Sequence, residues 1–170
     1  MVERGFDGVT VSEMTVFNYF PTKEDLVFGR MEFFEEQLVA AAQQRAPEES
    51  AAAAFGRMVL ADIDQLAART EMIAKAATLI RASLALQARE REIIARYTAR
   101  LVGVFTIEAW TAASALMAVH RGLLEHVRNA VLAGRRGAQL SKDAIAQTSR
   151  ALARLESGLA DYLRTRTEQR

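Results

Sequence analysis

Apolar residues recur at alternating steps of three and four, and this spacing restricts the fold more than any other feature. Two adjacent apolar stripes run through residues 106–133, one through Trp110 and Met117 and the other through Ala112 and Leu116. A helix turns once in about 3.6 residues, so such stripes form a wide buried arc that packs against more than one neighbour. The 32 alanines favour helix, and no stretch alternates with period two. We therefore predict an all-α protein.

The same spacing, together with proline, glycine and capping residues, divides the chain into helices. A short helix is predicted from Ser12 to about Tyr19, because Ser12 is a good N-cap and Pro21 ends the segment. Longer helices are predicted over residues 22–44, 50–68, 70–83, 84–102, 106–133 and 141–165, with Gly134 ending the sixth. Seven of the 12 aromatic residues lie in the first 34 positions. This uneven distribution indicates a small N-terminal module joined to a larger helical body.

Composition excludes several classes of protein. The 170 residues include no cysteine, which excludes a disulfide scaffold, a thiolate zinc site and a cysteine nucleophile. No apolar run approaches the roughly 18 residues that a membrane span requires, and residues 2–8 show no signal-peptide pattern. We expect a cytoplasmic protein without a membrane partner. The net charge of +1 gives no general affinity for nucleic acid, so DNA binding would depend on a local surface.

Residues suited to catalysis or metal binding do not form a recognisable pattern. His120 and His126 are six positions apart, with no carboxylate at ligand spacing. Asp62 and Asp64 would point in different directions on a helix. The chain has no glycine-rich phosphate loop and no Ser/His/Asp pattern. We expect no metal, no cofactor and no enzymatic activity.

The most informative stretch runs from Ser12 to Leu26. It combines a very short capped helix, a proline stop at Pro21 and a second capped helix with Lys23 in its first turn. Apolar side chains such as Phe17 and Phe20 can pack inward, which leaves small and polar side chains facing outward. A short helix of this kind can enter a major groove, and a helix N-terminus with a lysine can hold a phosphate. An ordinary capped helical hairpin is the alternative interpretation.

This stretch resembles the DNA-binding half of the TetR family of transcriptional regulators. Residue types and spacing agree over 15 positions that look like the family's recognition helix, its Tyr-Phe-Pro turn and the start of the next helix. The helical body is similar in pattern to the family's ligand-binding and dimerisation domain. The resemblance implies a helix-turn-helix module over residues 1–24 and a ligand-binding and dimerisation domain over residues 25–170.

The resemblance also implies roles for individual residues of the module. Four positions of the short helix match those that face the major groove, and three more match positions that approach or bind phosphate. Thr10 matches the cap of the family's second helix, which often touches the DNA backbone. The groove-facing positions are Ser12, Glu13, Met14 and Thr15, and the phosphate positions are Asn18, Tyr19 and Lys23.

The chain departs from the family pattern at its N-terminal end. Val11 runs directly into Ser12, where the family has a helix and a turn, so about ten residues are absent by comparison. The first helix is absent too, since Glu3 to Phe6 match its end. We expect the native chain to contain these segments, because a recognition helix without its supporting helices would have no use. Residues 1–30 carry three basic and five acidic side chains, so we also expect a basic arm before Met1.

Two further sets of residues are predicted in the helical body. Methionine-rich apolar walls suit variable ligands, and the candidate lining is Phe55, Met58, Met72, Leu79, Trp110, Met117 and His120. For each of these residues the alternative interpretation is core packing alone. For His120 we favour a role in the core or in an interface over contact with a ligand. The last two helices look like the pair that forms the family's dimeric four-helix bundle. On them the candidate interface residues are Leu116, Leu123, Val127, Leu152, Leu155 and Leu159.

The resemblance therefore implies a ligand-responsive transcriptional regulator, a repressor that binds a palindromic double-stranded DNA operator as a homodimer. The region from Ile107 to Arg121 is similar to a subgroup that senses acyl-CoA-like or other lipophilic effectors. One alternative is a helical bundle that binds a lipophilic ligand or a partner without binding DNA. The other is an enzyme built on a helical bundle.

Overall fold

The computed structural model describes residues 24–28, 31–46, 48–61, 63–104 and 109–158, and this part of the chain contains helices and turns but no strand. The helices are α1 (Asp25–Phe28), α2 (Met31–Gln43), α3 (Ala51–Ala61), α4 (Ile63–Ala68), α5 (Thr70–Ala82), α6 (Leu84–Val102), α7 (Ala109–Leu132) and α8 (Gly137–Gly158). The all-α prediction is confirmed. None of these helices is both long and apolar enough to cross a membrane.

The longest helix, α7, lies at the centre of the packing. It contacts α6 and α8 most extensively and also packs against α5 and α3. Both predicted stripes supply its buried side, with Ala112, Leu116 and Leu123 from one and Met117 and Val127 from the other. The wide apolar arc expected from the sequence is confirmed, because one helix with two apolar stripes can serve several neighbours.

The boundary between α5 and α6 lies at Ser83, as the sequence predicts. Ser83 has an extended backbone (φ −125°, ψ 114°), and its side chain accepts a hydrogen bond from the backbone N–H of Leu86. Serine suits this position because its hydroxyl satisfies one of the free N–H groups of the new helix. The start of α5 at Thr70 agrees with the predicted range, and the preceding cap residue, Arg69, makes no side-chain capping bond.

The turn between α7 and α8 is defined by two glycines with positive φ. Gly134 (φ 85°) ends α7, where its N–H bonds to the carbonyl of Val131 and the N–H of Arg135 bonds to that of Ala130. This pair of bonds is the Schellman arrangement, which favours glycine at the left-handed position. The predicted helix start at Ser141 is wrong, because Gly137 (φ 62°) lets the chain reverse and α8 begins there.

A close approach between α3 and α8 occurs at Gly56. A Cβ atom added there would lie 2.7 Å from Cδ1 of Leu152, which is itself buried. Gly122, which is exposed on α7, has no atom within 4 Å of such a Cβ. The two helical glycines therefore differ in whether a methyl group has space.

We predict that Gly56→Ala lowers the free energy of unfolding by about 1 kcal/mol, because the displacement of Leu152 outweighs the helix propensity of alanine. In a Leu152→Ala background the same change becomes stabilising. Gly122→Ala is the matched control and raises stability by about 0.5–1 kcal/mol. Urea unfolding of the four variants measures these effects. An equal gain at both glycines would contradict the close packing of α3 on α8.

Candidate functional site

The residues predicted to bind DNA lie outside the described part of the chain. This applies to all eight of them: Thr10, Ser12, Glu13, Met14, Thr15, Asn18, Tyr19 and Lys23. Asp62 is also outside it, as is the side chain of Asp64.

The residues predicted to line a ligand pocket divide into a buried group and an exposed group. Phe55, Met117 and His120 are buried, and Met58 is partly buried against the same core. The exposed members are Met72, Leu79 and Trp110, each with more than half of its surface accessible. The structure thus does not bring all seven residues around one site. On α5 the reason is that Ala77 and Ile80 face the core, which leaves Met72 and Leu79 on the outer face.

The residues predicted to form a dimer interface are placed mainly inside the protomer. Four of the six are buried in the core of the single chain: Leu116, Leu123, Val127 and Leu152. Leu155 is partly buried against that core, and Leu159 lies outside the described residues. The apolar spacing that suggested an interface is therefore accounted for by packing within one chain. The outward side of α8 instead carries Ile145, which is 39% exposed.

An aromatic cluster joins α2, α6 and α7 in the core. The ring of Phe34 on α2 stacks on the imidazole of His120 on α7, with centroids 4.3 Å apart and planes 20° apart. On α6, Tyr97 contacts the same phenyl ring at a centroid distance of 5.6 Å. Tyr97 is fully buried and His120 is 5% exposed, whereas Phe34 is only partly buried. Phe34 therefore lies between the buried histidine and the margin of the core.

His120 is buried, as the interpretation of a core histidine requires, but its ring is not fully hydrogen-bonded. Among the described residues, no group bonds to its buried Nδ1. Burial, together with a smaller contribution from the positive charge of Arg128, lowers the pKa of His120 to about 4. The imidazole is therefore neutral near pH 7, with one buried polar nitrogen left without a partner.

Charged side chains surround this cluster in fixed pairs. Glu35, next to Phe34, accepts bonds from Arg96 at 2.7 Å and lies 3.3 Å from Nε of Arg100. The guanidinium of Arg96 also lies 5.9 Å from the ring centroid of Tyr97, within range of a cation–π contact. These bonds attach α2 to α6 beside the aromatic cluster.

A second group of charges attaches α7 to α6. Arg128, largely buried, donates to Glu90 on α6 and to Glu125 on its own helix, the latter at 3.2 Å. Two carboxylates therefore already engage Arg128, the cation whose charge affects the pKa of His120. Within the described ranges, no group of three or more His, Cys, Asp or Glu side chains is placed to hold a metal ion.

Sequence reasoning missed Tyr97 and the contacts of Phe34. The frequent arginine and glutamate residues of the helix 84–102 favour an exposed helix with charge pairs and obscure its buried face. The signal for its buried face was the four-residue spacing of Ile93, Tyr97 and Leu101, all of which are buried. Phe34 was recognised as part of an apolar face, but its partner is far away in the chain.

Comparison of the chain with models of protein families, with curated proteins and with solved structures gave no match.

Proposed function

We propose that the chain is a ligand-responsive transcriptional regulator that binds double-stranded DNA through the short helix 12–20. The observation that carries this proposal is the run from Ser12 to Leu26, with its capped short helix, proline stop and following helix start. A helix N-terminus with small polar side chains suits base edges, and Tyr19 and Lys23 suit phosphates. Repression is the form of regulation proposed.

The packing of α2 supports a link between this module and the helical body. The run leads into α1 and α2, and α2 packs against α3 and α6. Phe34 and Glu35 attach its first half to residues of α6 and α7. In the proposed mechanism, an effector bound in the body favours one position of α2 and thereby changes the placement of the reading helix. Such coupling requires the effector to prefer one of two states of the protein.

A homodimer is part of the proposal, because two reading helices related by a two-fold axis recognise a palindromic operator. Half-sites would then be separated by about 34 Å or a multiple of it. Since Leu116 and Leu123 are buried within the protomer, we assign the interface to the outward faces of α7 and α8, where Ser114, Ala118 and Ile145 are exposed. Sedimentation velocity of the full chain should give the mass of a dimer.

The proposed effector is a small lipophilic molecule, with an acyl-CoA-like compound as one candidate. The buried part of the predicted lining supports this, since Phe55, Met117 and the partly buried Met58 are apolar. Large apolar and aromatic walls are typical of sites for such ligands.

We predict that Tyr19→Phe weakens DNA binding about tenfold and to a similar degree on different sequences, because it removes a phosphate contact. Thr15→Ala should instead change the preference between sequences. Fluorescence anisotropy with random-sequence and palindromic duplexes at low salt measures both effects. Tyr162→Phe, which removes the same hydroxyl elsewhere in the chain, serves as the control. Unchanged affinity in Tyr19→Phe would contradict the phosphate role.

The same titration tests the alternative of a helical bundle that binds a ligand or a partner without DNA. A full-length protein that binds neither duplex at low salt contradicts the proposed function and supports that alternative. Lower salt strengthens every phosphate contact, so an absence of binding there is decisive.

A further inference from the structure

Two buried histidine nitrogens have no hydrogen-bond partner among the described residues, Nδ1 of His120 and Nε2 of the partly buried His126, and the one in the core is that of His120. More than nine-tenths of buried polar groups in proteins have a hydrogen-bond partner, because an unpaired one costs about 1–3 kcal/mol. In this part of the chain, Nδ1 is buried and no described residue bonds to it. Phenylalanine would preserve the stacking on Phe34 without this cost, so histidine at this position points to a polar partner other than the described residues, a role that a bound ligand can fill.

The surroundings restrict the chemistry of that partner. The rings of Phe34 and Tyr97 present aromatic surface on the side of α2 and α6. Two cations beside the cluster are already engaged: Arg128 by Glu90 and Glu125, and Arg96 by Glu35. A carboxylate or phosphate placed beside His120 would therefore lack a free counter-charge, and burying an unpaired charge is very unfavourable. An uncharged, largely apolar molecule needs no counter-charge and can be buried without this cost.

The polar group of that molecule is restricted in turn by the imidazole. A neutral histidine has one ring nitrogen that donates and one that accepts, and the tautomer here is not fixed by a bond to Nδ1. A hydroxyl group both donates and accepts, so it satisfies Nδ1 in either tautomer. Phe34 covers one face of the imidazole and is only partly buried, so it separates His120 from the surface of the core on that side.

We infer that His120 is the polar anchor of a site in the helical body for an uncharged aromatic or aliphatic ligand that carries one hydroxyl group. This inference rests on the proposed function, because the ligand is the effector assigned there. It narrows the lipophilic effector to a class that excludes anionic molecules at this position. Phe34 forms the wall next to the anchor, so the ligand would contact α2 directly.

Three probes of one shape test the class of ligand. They are 1-naphthol, which is uncharged at about pH 7, naphthalene, which has no hydrogen-bonding group, and 1-naphthoate, which is an anion. The full chain should bind 1-naphthol about tenfold or more tightly than naphthalene and should bind 1-naphthoate least. His120→Phe should abolish the advantage of 1-naphthol over naphthalene. Leu38→Met, a volume-conserving change at a residue equally buried on α2, should retain it.

The result that overturns the inference is equal binding of 1-naphthol and naphthalene, preferred binding of 1-naphthoate, or binding of none of the three. An unchanged preference in His120→Phe overturns it as well. If that variant does not fold, NMR of the histidine ring nitrogens in the wild-type chain replaces it. Saturation with 1-naphthol should then shift the Nδ1 resonance of His120 but not the resonances of His126, and an unshifted Nδ1 contradicts the inference.

The stability of the ligand-free protein provides an independent test of the inference. Because no described residue bonds to Nδ1, His120→Phe should raise the urea midpoint of the unliganded protein, since the unpaired nitrogen is removed and the stacking retained. A folded variant with a lowered midpoint would indicate that Nδ1 is already bonded, which contradicts the inference.

The DNA titration distinguishes the two proposals. Naphthol selectivity without DNA binding preserves the anchor and rejects the regulator, and DNA binding without naphthol selectivity does the reverse.

Discussion

Replacing Tyr97 by alanine is expected to lower the free energy of unfolding by about 3–5 kcal/mol, the range for removing a large buried aromatic side chain. Tyr97 is 0% exposed. Its ring contacts the phenyl ring of Phe34 on α2 and lies near the guanidinium of Arg96 on its own helix. Truncation removes these contacts and leaves a cavity that the three surrounding helices close only partly. The loss is a large share of the stability of an ordinary domain.

Chemical unfolding at neutral pH measures this effect. Leu84→Ala is the control on the same helix, because Leu84 is 82% exposed and its truncation should change stability by no more than about 0.5 kcal/mol. A loss below about 1 kcal/mol in Tyr97→Ala would contradict the position of Tyr97 in the core. A large loss in Leu84→Ala would show that the exposed start of α6 is covered by another surface.

Acidification from about pH 7 to pH 5 is expected to remove about 2 kcal/mol of stability through His120 alone. Burial, with a smaller contribution from the charge of Arg128, lowers the pKa of this residue in the folded protein from 6.5 to about 4. The unfolded chain therefore binds a proton in the window between these two values while the folded protein does not. Stability falls as the pH decreases through this window and changes no further through His120 below it.

Urea unfolding of the wild type and His120→Phe at the two pH values isolates this effect. Both proteins share the contributions of their Asp and Glu residues, so the difference between their pH dependences belongs to position 120. The variant should lose about 2 kcal/mol less than the wild type over the interval. The same pH dependence in both proteins would show that His120 is accessible to protons in the folded state.

The helix pattern could be predicted where local chemistry decides it. Ser83 and Gly134 mark helix boundaries because a serine cap and a left-handed glycine act within a few residues of themselves. The start of α8 could not be predicted in the same way. It depends on Gly137 adopting a positive φ, which the sequence does not indicate.

The candidate site depends on contacts between distant parts of the chain, and these could be predicted only in part. His120 lies three residues after Met117, on the apolar stripe through Trp110 and Met117, and its burial follows from the period of that stripe. Its stacking on Phe34 depends on how α2 crosses α7, which periodicity within either helix does not determine. For the same reason the sequence predicted a dimer interface at Leu116 and Leu123. An apolar helix face indicates that another surface covers it, but it does not show whether that surface belongs to the same chain or to a second one.

The glycine turn after α7 has a consequence for the order in which the protein folds. Gly134 and Gly137 join the two longest helices through a very short connection, so pairing α7 with α8 closes a small loop and costs little chain entropy. The contact of Phe34 with His120 instead joins segments separated by half the chain, and contacts of that kind form slowly. The helical hairpin therefore provides a preformed surface on which α2 docks late. In the folded protein, α2 is then the element that can detach while the hairpin remains intact.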